Sequence, residues 1–344
     1  MTVSVETGLQ SRYSRQILFG PIGISGQERL SKSLVVIIGL GALGTVIASN
    51  LCRAGVGHLR LVDRDFVEIS NLQRQILFDE EDARRRLPKA IAAAQKLRAV
   101  NSEIVIEALI ADVAASNIEQ VIAGSDLVLD GLDNLETRLL INDACVKTGI
   151  PWIYGAAVAS SGATMTISPG KTPCFRCFVD QVPAPGTMPS CETMGVLAAT
   201  TGTVASIESA EALRLLTGHE PTGSMLCIDI WDRDFRDLKI ERRPDCPACG
   251  AGNFEFLTGS RTSWTTVLCG RNAVQIVPPE EHEVSLQDLE RRLVPIVDVS
   301  YNGFLLSLDL GDRELVLFPT GRAIIRGTTD EAEARSLYAR YVGT

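Results

Sequence analysis

A buried-strand pattern that runs directly into a glycine-rich turn constrains this chain more than any other feature. Residues 34–44 read LVVIIGLGALG, so an apolar run ends in Gly39-x-Gly41-x-x-Gly44. The fingerprint is typical of a strand–turn–helix unit in which backbone N–H groups and a helix N-terminus face an anion. We therefore predict a nucleotide-binding α/β fold that holds its ligand at this turn.

The alternation of elements extends this prediction along the chain. Apolar strands and helices follow one another up to Tyr154, which predicts an α/β fold with a doubly wound, Rossmann-like, mostly parallel sheet. Beyond Tyr154 the pattern changes to strands typical of antiparallel pairs around a long helix near residues 203–216. The sheet is therefore expected to continue into antiparallel strands, and a small α+β module to follow.

Three regions are predicted along the chain. Residues 1–250 form the main domain, residues 251–262 a linker, and residues 263–344 a small α+β module of unknown role. The module has no cluster of titratable groups, so we expect it to bind a partner and to perform no chemistry. Truncation at Gly250 is then expected to leave the activity of the main domain largely intact.

Composition excludes several classes of partner. The net charge of −9 argues against nucleic acid, which normally meets a basic surface. No stretch is long and apolar enough to span a bilayer, and the first ten residues lack the basic and apolar regions of a signal peptide. We expect a cytoplasmic protein that binds neither nucleic acid nor a membrane.

Charged residues after the glycine turn indicate a phosphate chain. Asp63 ends the second predicted strand and suits ribose hydroxyls, a role that fits NAD and ATP equally. Arg74 and Lys89 offer a planar fork and a point charge, the usual combination for polyphosphate, and Asn71 adds a polar contact. Asp133, just past a strand end, is placed to hold Mg²⁺ beside phosphate oxygens.

The cysteines divide into a paired set and a single candidate. Cys174-x-x-Cys177 and Cys246-x-x-Cys249 have the spacing of a closed, four-thiolate structural zinc site. A redox dithiol or buried thiols are the alternatives. Cys191 ends a proline- and glycine-rich loop, where its thiol is placed for acyl transfer; an incidental loop cysteine is the alternative.

Together these residues resemble the ThiF/MoeB/HesA family of adenylyltransferases, bacterial relatives of the ubiquitin-activating enzymes. The similarity runs from about Arg12 to Gly250, and its elements are RYSRQ, GLGALG, LVDRD, SNLQRQ, Pro88-Lys89, DGLDN, INDACV, PWIYGA, PCFRC, PSC and DCPACG. It implies an enzyme that uses ATP and Mg²⁺ to adenylate the C-terminal carboxylate of a ubiquitin-fold sulfur-carrier protein ending in Gly-Gly. Such enzymes serve sulfur transfer into thiamine, molybdopterin or related products.

The resemblance also implies a site and an assembly. The positions that it places around ATP are Gly39, Gly41, Ala42, Gly44, Asp63, Ser70, Asn71, Arg74, Lys89, Asp133 and Asn134. Family members are homodimers, so Arg15 is expected to reach into the neighbouring subunit's site. The module lacks a rhodanese signature, which implies a separate sulfur donor.

Two departures from the family pattern bear on the site. Ala42 replaces the second glycine of the frequent GxGGxG form, which is tolerated if this residue has a helical φ. The arginines at 84–86 lengthen the segment before Lys89 and are expected to add basic charge near the phosphates.

Two other functions remain as alternatives. An NAD-dependent oxidoreductase is disfavoured by Arg74, Lys89 and Asp133, which hydride transfer does not need. A peptide-modifying adenylyltransferase would act on a short peptide, and the C-terminal module could bind that peptide.

Overall fold

The computed structural model describes residues 12–179, 194–258, 265–268, 272–277 and 284–342. The chain forms two compact units. The first unit comprises Met1–Arg84 and Pro88–Ser260, and the second comprises Arg85–Leu87 and Arg261–Thr344. Residues 85–87 therefore belong to the second unit, although the sequence places them inside the first.

The first unit is built on an eight-stranded sheet in the order β3-β2-β1-β4-β5-β6-β7-β8. Its strands are β1 Leu34–Ile38, β2 His58–Asp63, β3 Val105–Ile110, β4 Leu127–Asp130, β5 Trp152–Val158, β6 Ser161–Ile167, β7 Met225–Asp229 and β8 Asp234–Leu238. The pairs among β1 to β5 are parallel, and the pairs from β5 to β8 are antiparallel. The predicted doubly wound sheet with an antiparallel extension is confirmed.

Helices cover this sheet. They are α1 Ser14–Ile17, α2 Gly23–Leu30, α3 Ala42–Ala54, α4 Glu80–Arg84, α5 Lys89–Val100, α6 Ile118–Ile122, α7 Leu135–Thr148, α8 Phe175–Phe178 and α9 Ala198–Leu216. The long helix α9 packs on α3 and on β5. Helix α5 begins at Lys89, because Pro88 has an extended ψ of 134° and serves as the N-cap.

The segment predicted as a linker is in part core of the first unit. Phe256 is 4% exposed and packs in the same apolar cluster as Trp152 and Phe175, with Phe254 beside it. The backbone N–H of Phe256 donates to the carboxylate of Asp143 at 3.0 Å. A truncation at residue 250 would remove these aromatic side chains. A truncation that keeps the core of the first unit complete therefore lies after residue 258.

The second unit has a six-stranded antiparallel sheet in the order β11-β12-β13-β14-β10-β9. Its elements are β9 Thr265–Leu268, β10 Ala273–Ile276, α10 Leu286–Leu293, β11 Asp298–Tyr301, β12 Leu306–Asp309, β13 Glu314–Leu317, β14 Ala323–Arg326 and α11 Glu331–Tyr341. Apolar side chains from one face of the sheet, among them Leu308 and Ile325, pack against Leu289 of α10 and Ala334 of α11. This is the small α+β architecture expected from the sequence.

Within the described ranges, no helix combines the length and the apolar character needed to cross a membrane.

Candidate active site

The carboxyl ends of three neighbouring strands place the glycine turn beside two acidic strand ends. In the register of the sheet, Ile38 of β1 pairs with Val62 of β2 and with Asp130 of β4. The Gly39 N–H donates to the Val62 carbonyl, and the Gly131 N–H donates to the Ile38 carbonyl, both at 2.8 Å. Ligands of open α/β sheets bind at such an edge.

Three glycines let the backbone pack closely at this edge. Gly39 has a φ of +89°, and a Cβ there would lie 2.7 Å from the Gly131 carbonyl carbon. A Cβ on Gly44 would lie 1.9 Å from the Gly39 carbonyl oxygen. Sequence analysis assigned no role to Gly131, although a glycine directly after the strand-end acid Asp130 was the available signal.

The N-terminus of α3 is suited to an anion. Gly41 is the N-cap residue and no side chain caps the helix, so the first N–H groups of α3 lack intrahelical partners. Such groups, together with the helix dipole, attract phosphate. Ala42 is the first residue of the helix and therefore has a helical φ. An alanine is tolerated at this position, where the frequent form of the motif has its second glycine.

Asp63 connects the end of β2 with the glycine turn. Its carboxylate accepts hydrogen bonds from the Leu40 N–H at 2.6 Å and from the Asp65 N–H at 2.7 Å. Burial raises the pKa of Asp63, and the nearby positive charge of Lys89 opposes this shift. A carboxylate has about four lone-pair sites, so the two backbone donors leave acceptor capacity for ribose hydroxyls.

Lys89 is held at the start of α5. Its side chain is 4% exposed, and its Nζ lies 3.5 Å from the Asp65 carboxylate. Its backbone N–H donates to the Asp65 carbonyl at 2.9 Å. The ion pair with Asp65 and the burial of the side chain together fix the direction of the ammonium group. Sequence analysis missed Asp65, which stands in the LVDRD motif two residues after Asp63.

The SNLQRQ motif, residues 70–75, begins within a short 3-10 turn over residues 69–71. Asn71 is buried, and its side-chain oxygen accepts from the Glu68 N–H at 3.2 Å. Arg74 is half-buried and uses one Nη1 N–H to donate to the Ser70 carbonyl at 3.0 Å. A guanidinium has five N–H donors, so this bond orients Arg74 without exhausting its capacity for a phosphate.

The two acids at the end of β4, Asp130 as its last residue and Asp133 three residues later, have different surroundings. Asp133 is exposed, whereas Asp130 is fully buried and accepts from Arg138 Nε at 2.7 Å. The Asn134 side chain caps α7 by accepting from the Thr137 N–H at 2.9 Å. The accessible carboxylate of Asp133 suits a magnesium–phosphate complex, while Asn134 has a capping role in the described structure.

The remaining predicted site residues are placed as follows. Arg15 lies exposed on α1, and Cys191 lies outside the described residues. Arg84 pairs with Glu81, and Arg86 pairs with Glu314. The expectation that the added arginines bring charge to the phosphates stays a prediction, since Glu314 also pairs with Arg326 and therefore does not neutralise Arg86 alone.

The two cysteine pairs meet in the apolar cluster that also contains Trp152 and Phe175. Cys174, Cys177, Cys246 and Cys249 bring their sulfur atoms within 4.8 Å of one another. The Sγ–Sγ distances are 3.9 Å for 174–177, 3.6 Å for 174–246 and 3.5 Å for 177–249. A tetrahedral zinc ion with bonds of about 2.3 Å separates its sulfur ligands by about 3.8 Å. The donor set and spacing therefore fit the predicted zinc site.

Local geometry prepares these thiols for a metal. Cys174 and Cys246 are buried, so ligand exchange with water is restricted. A hydrogen bond from the Cys174 thiol lowers the pKa of Cys177, and the same bond raises the pKa of Cys174, so the pair favours one thiolate before any metal binds. The turn that carries Cys246 and Cys249 is the second cysteine knuckle. It is closed by the Gly250 N–H, which donates to the Cys246 carbonyl at 3.0 Å. A Cβ on Gly250 would lie 2.3 Å from the Pro244 carbonyl oxygen, so the knuckle needs glycine there.

One buried carboxyl group near the sheet edge was not anticipated. Glu208 of α9 is fully buried, and among the described residues neither of its carboxyl oxygens has a hydrogen-bond partner. It reaches to Gly155 of β5, where an added Cβ would lie 1.9 Å from Glu208 Oε1. Burial raises the pKa of Glu208 well above its usual value; Asp130 raises it further and Arg138 opposes the shift.

Replacing Glu208 with glutamine is expected to flatten the pH dependence of stability. The raised pKa means that the folded state binds the proton more tightly, so the wild type loses stability as the pH rises above about 4.5. The loss from this group amounts to at most about 1.4 kcal/mol per pH unit. Urea unfolding of both proteins between pH 5 and pH 8 measures the difference; parallel curves would contradict the assignment.

The fold and the site define a Rossmann-like nucleotide-binding protein with a four-cysteine cluster that fits a zinc ion. A family model described as "ThiF family" matches residues 13–248. The chain belongs to this family, as its motifs predict.

Named relatives agree with this membership. The chain is 43% identical over 338 residues to "Sulfur carrier protein ThiS adenylyltransferase" of Bacillus subtilis, covering 97% of this chain and all of the relative. It is 41% identical to the protein of the same name in Escherichia coli over 70% of this chain and 96% of the relative. A crystal structure of E. coli MccB with MccA-N7isoASN has a TM-score of 0.62, 24% identity and coverage of 70% of this chain and 75% of that chain. This last similarity concerns the fold alone.

Proposed function

We propose that this protein uses ATP to adenylate the C-terminal carboxylate of a ubiquitin-like sulfur-carrier protein that ends in Gly-Gly. The observation that carries the proposal is the 43% identity to a sulfur carrier protein adenylyltransferase over 97% of the chain. The uncapped N-terminus of α3 beside the buried, charge-paired Lys89 supports it, because together they suit a polyphosphate.

The proposed reaction is an in-line displacement at the α-phosphorus. A carboxylate oxygen of the carrier forms a bond to phosphorus, the bond to the bridging oxygen of the β-phosphate breaks, and pyrophosphate leaves with that electron pair. No general base is needed, because the nucleophile is already ionised. Positioning and neutralisation of charge therefore dominate the catalysis.

Each site residue has a proposed part in this displacement. The glycine turn and the α3 N-terminus hold phosphate oxygens, and Asp63 accepts from the ribose hydroxyls. Arg74 and Lys89 neutralise the phosphate chain. Asp133 would hold Mg²⁺, which when bound neutralises charge on the departing pyrophosphate; one accessible carboxylate beside phosphate oxygens matches what this ion prefers.

We further propose a homodimer in which Arg15 contacts the ATP of the neighbouring subunit. Arg15 is exposed on α1, and Leu18, Phe19 and Ile24 are exposed by 73%, 60% and 57%. Exposed apolar side chains grouped in this way are typical of an interface. A cytoplasmic location and a separate sulfur donor complete the proposal; thiolate ligands remain reduced in the cytoplasm.

The alternatives are less well supported. The solved structures at 24% identity are similar in fold alone and do not favour a peptide-modifying adenylyltransferase, whereas the carrier-activating relatives reach 43% identity. An NAD-dependent oxidoreductase would not need the cations Arg74 and Lys89.

ATP–pyrophosphate exchange tests the function directly. Exchange is expected only when a carrier with a free terminal Gly-Gly carboxylate is present, because that carboxylate is the nucleophile. The matched control is the same carrier with its C-terminus amidated, which should give no exchange. Equal exchange with both carriers, or hydride transfer from NADH, would contradict the proposal.

Cys191 is proposed to accept the acyl group from the carrier adenylate. Cys191→Ser is expected to retain pyrophosphate exchange, since adenylation precedes acyl transfer, and to lose carrier thiocarboxylate formation. Mass spectrometry of the carrier after incubation with a persulfide donor measures the second step. Undiminished thiocarboxylate formation would mean that a persulfide attacks the adenylate directly and that Cys191 has no part in the reaction.

A further inference from the structure

A buried arginine of the first unit, Arg138, lies next to the backbone that leads to Asp133. It belongs to α7, the helix that begins directly after the acids at the end of β4. Arginine is almost never buried unless its guanidinium is paired. The partners of Arg138 therefore indicate what this side chain does.

Asp130 is the charge partner of Arg138. The Arg138 Nε atom donates to Asp130 Oδ2 at 2.7 Å, and the Asp130 side chain is fully buried. Hydrogen bonds between two charged groups are shorter and stronger than those between neutral groups. The pair therefore fixes the plane of the guanidinium at the carboxyl end of β4.

Both polar groups of the Leu132 backbone are bonded to this ion pair. The Leu132 N–H donates to Asp130 Oδ1 at 2.9 Å. The Leu132 carbonyl accepts from Arg138 Nη2 at 2.6 Å. A rotation of the backbone at Leu132 would therefore break a hydrogen bond to a buried charged group, which costs more than the loss of a bond between neutral groups.

Arg138 also connects this backbone to the neighbouring strand. Its Nη2 atom donates to the Gly155 carbonyl of β5 at 2.7 Å. Its Cζ atom lies 5.3 Å from the centre of the Tyr154 ring, also on β5, so the guanidinium packs over an aromatic face. The position of Leu132 is thus set by the central sheet and does not depend on the loop alone.

Asp133 follows Leu132 directly and lies between two fixed points. On its other side, Asn134 caps α7 by accepting from the Thr137 N–H. The Asp133 side chain is exposed, so packing does not hold its carboxylate in place. Its direction depends on the backbone that Leu132 and Asn134 fix.

We propose that Arg138 is a positioning residue of the nucleotide site, which together with Asp130 holds the Leu132 backbone and thereby directs the Asp133 carboxylate toward the magnesium–phosphate complex. The inference rests on the proposed function, in which Asp133 holds Mg²⁺ beside the phosphates of ATP. Arg138 acts through Leu132 and has no contact with ATP in this proposal.

The test is Arg138→Lys in the full-length, zinc-loaded protein. Lysine keeps a positive charge for Asp130, but its single nitrogen cannot reproduce the separate bonds that Nε and Nη2 make. The free Mg²⁺ concentration that gives half-maximal carrier-dependent exchange is expected to rise about tenfold, because the carboxylate is less well directed. The KM for the carrier should stay the same, which distinguishes this effect from a general loss of structure.

The matched control is Arg60→Lys in β2. Arg60 is also a partly buried arginine with one carboxylate partner and two carbonyl partners. It pairs with Glu107 at 2.7 Å and donates to the Val121 carbonyl at 2.7 Å and the Ala123 carbonyl at 3.2 Å. The proposed site does not use it, so the Mg²⁺ dependence of this variant should equal that of the wild type.

A double-mutant cycle shows whether Arg138 acts through Asp133. In the Asp133→Ala background, Arg138→Lys is expected to change exchange by less than about twofold, because the carboxylate that it directs is gone. An equal loss in both backgrounds, or a wild-type Mg²⁺ dependence in Arg138→Lys beside a strongly impaired Asp133→Ala, would overturn the inference and leave the proposed function intact. Normal exchange by Asp133→Ala would instead overturn the site assignment on which the inference rests.

Zinc content and melting temperature show whether Arg138→Lys folds. If it does not, the double variant Asp130→Asn, Arg138→Gln takes its place, because removal of both charges leaves neither of them buried without a partner. The shorter glutamine cannot span the carbonyl groups of Leu132 and Gly155, so the same rise of about tenfold in the Mg²⁺ requirement is expected. A wild-type Mg²⁺ requirement in the folded double variant would equally overturn the inference.

Discussion

Asp133→Ala is expected to slow carrier-dependent ATP–pyrophosphate exchange about a hundredfold, because it removes the accessible carboxylate proposed to hold Mg²⁺ against the phosphates. Asp133 is exposed, so its loss should leave the fold and the zinc content unchanged. The control is Glu119→Ala, another exposed acid, which pairs with Lys147 on the protein surface. Exchange at the wild-type rate by Asp133→Ala would remove this residue from the site.

The same variant also tests whether Arg15 acts across a dimer. Arg15→Ala should be as slow as Asp133→Ala when each is assayed alone. After subunit exchange, a mixture of the two should recover roughly a quarter of the wild-type rate, because half of the dimers are mixed and each has one intact site. Failure to recover activity, with mixed dimers demonstrated by mass, would place Arg15 in the site of its own subunit.

Cys246→Ser is expected to remove the zinc and to lower the melting temperature by on the order of 10 °C. Cys246 is buried in the apolar cluster with Cys174, and the two knuckles lie 72 residues apart in sequence. The metal therefore joins distant segments, and binding of a structural zinc contributes directly to folding free energy. Elemental analysis and thermal unfolding measure both effects.

Cys227→Ser serves as the matched control for the zinc site. Cys227 is a partly exposed cysteine of β7 that lies outside the four-cysteine cluster. It should retain one zinc per chain and nearly the wild-type melting temperature. Stoichiometric zinc in Cys246→Ser, or no zinc in wild-type protein prepared without chelator, would contradict the assignment.

Much of the first unit could be predicted from the sequence, because local signals mark its element ends. Helices α3 and α7 are bounded at both ends by residue types that can be recognised in the sequence. Each begins directly after its N-cap residue, Gly41 or Asn134, and each ends at a glycine with positive φ, Gly55 or Gly149. The carboxyl ends of parallel strands meet at one edge, so the strand order alone brought the glycine turn and the strand-end acids together.

What the sequence did not predict depends on distant partners. Residues 251–258 look like a linker because glycine and polar residues surround two aromatic side chains, and only Asp143 and the apolar cluster make Phe256 a core residue. Likewise, nothing in the sequence near Arg86 predicts that Glu314 lies beside it. Neither pairing leaves a periodic pattern along the chain. The orphaned carboxyl of Glu208 also escaped, because a glutamate in a helix normally indicates a solvated face.

The two-segment construction of the second unit has a consequence for the order of assembly. Arg86 and Glu314 are 228 residues apart, so their pairing closes a loop that contains most of the protein. Closure of such a loop is entropically costly and must follow the formation of local structure. During synthesis, residues 85–87 leave the ribosome long before Glu314 has been added to the chain. The Rossmann-like sheet can form in this interval. Residues 85–87 therefore acquire their partners in the second unit only when nearly the whole chain has been made.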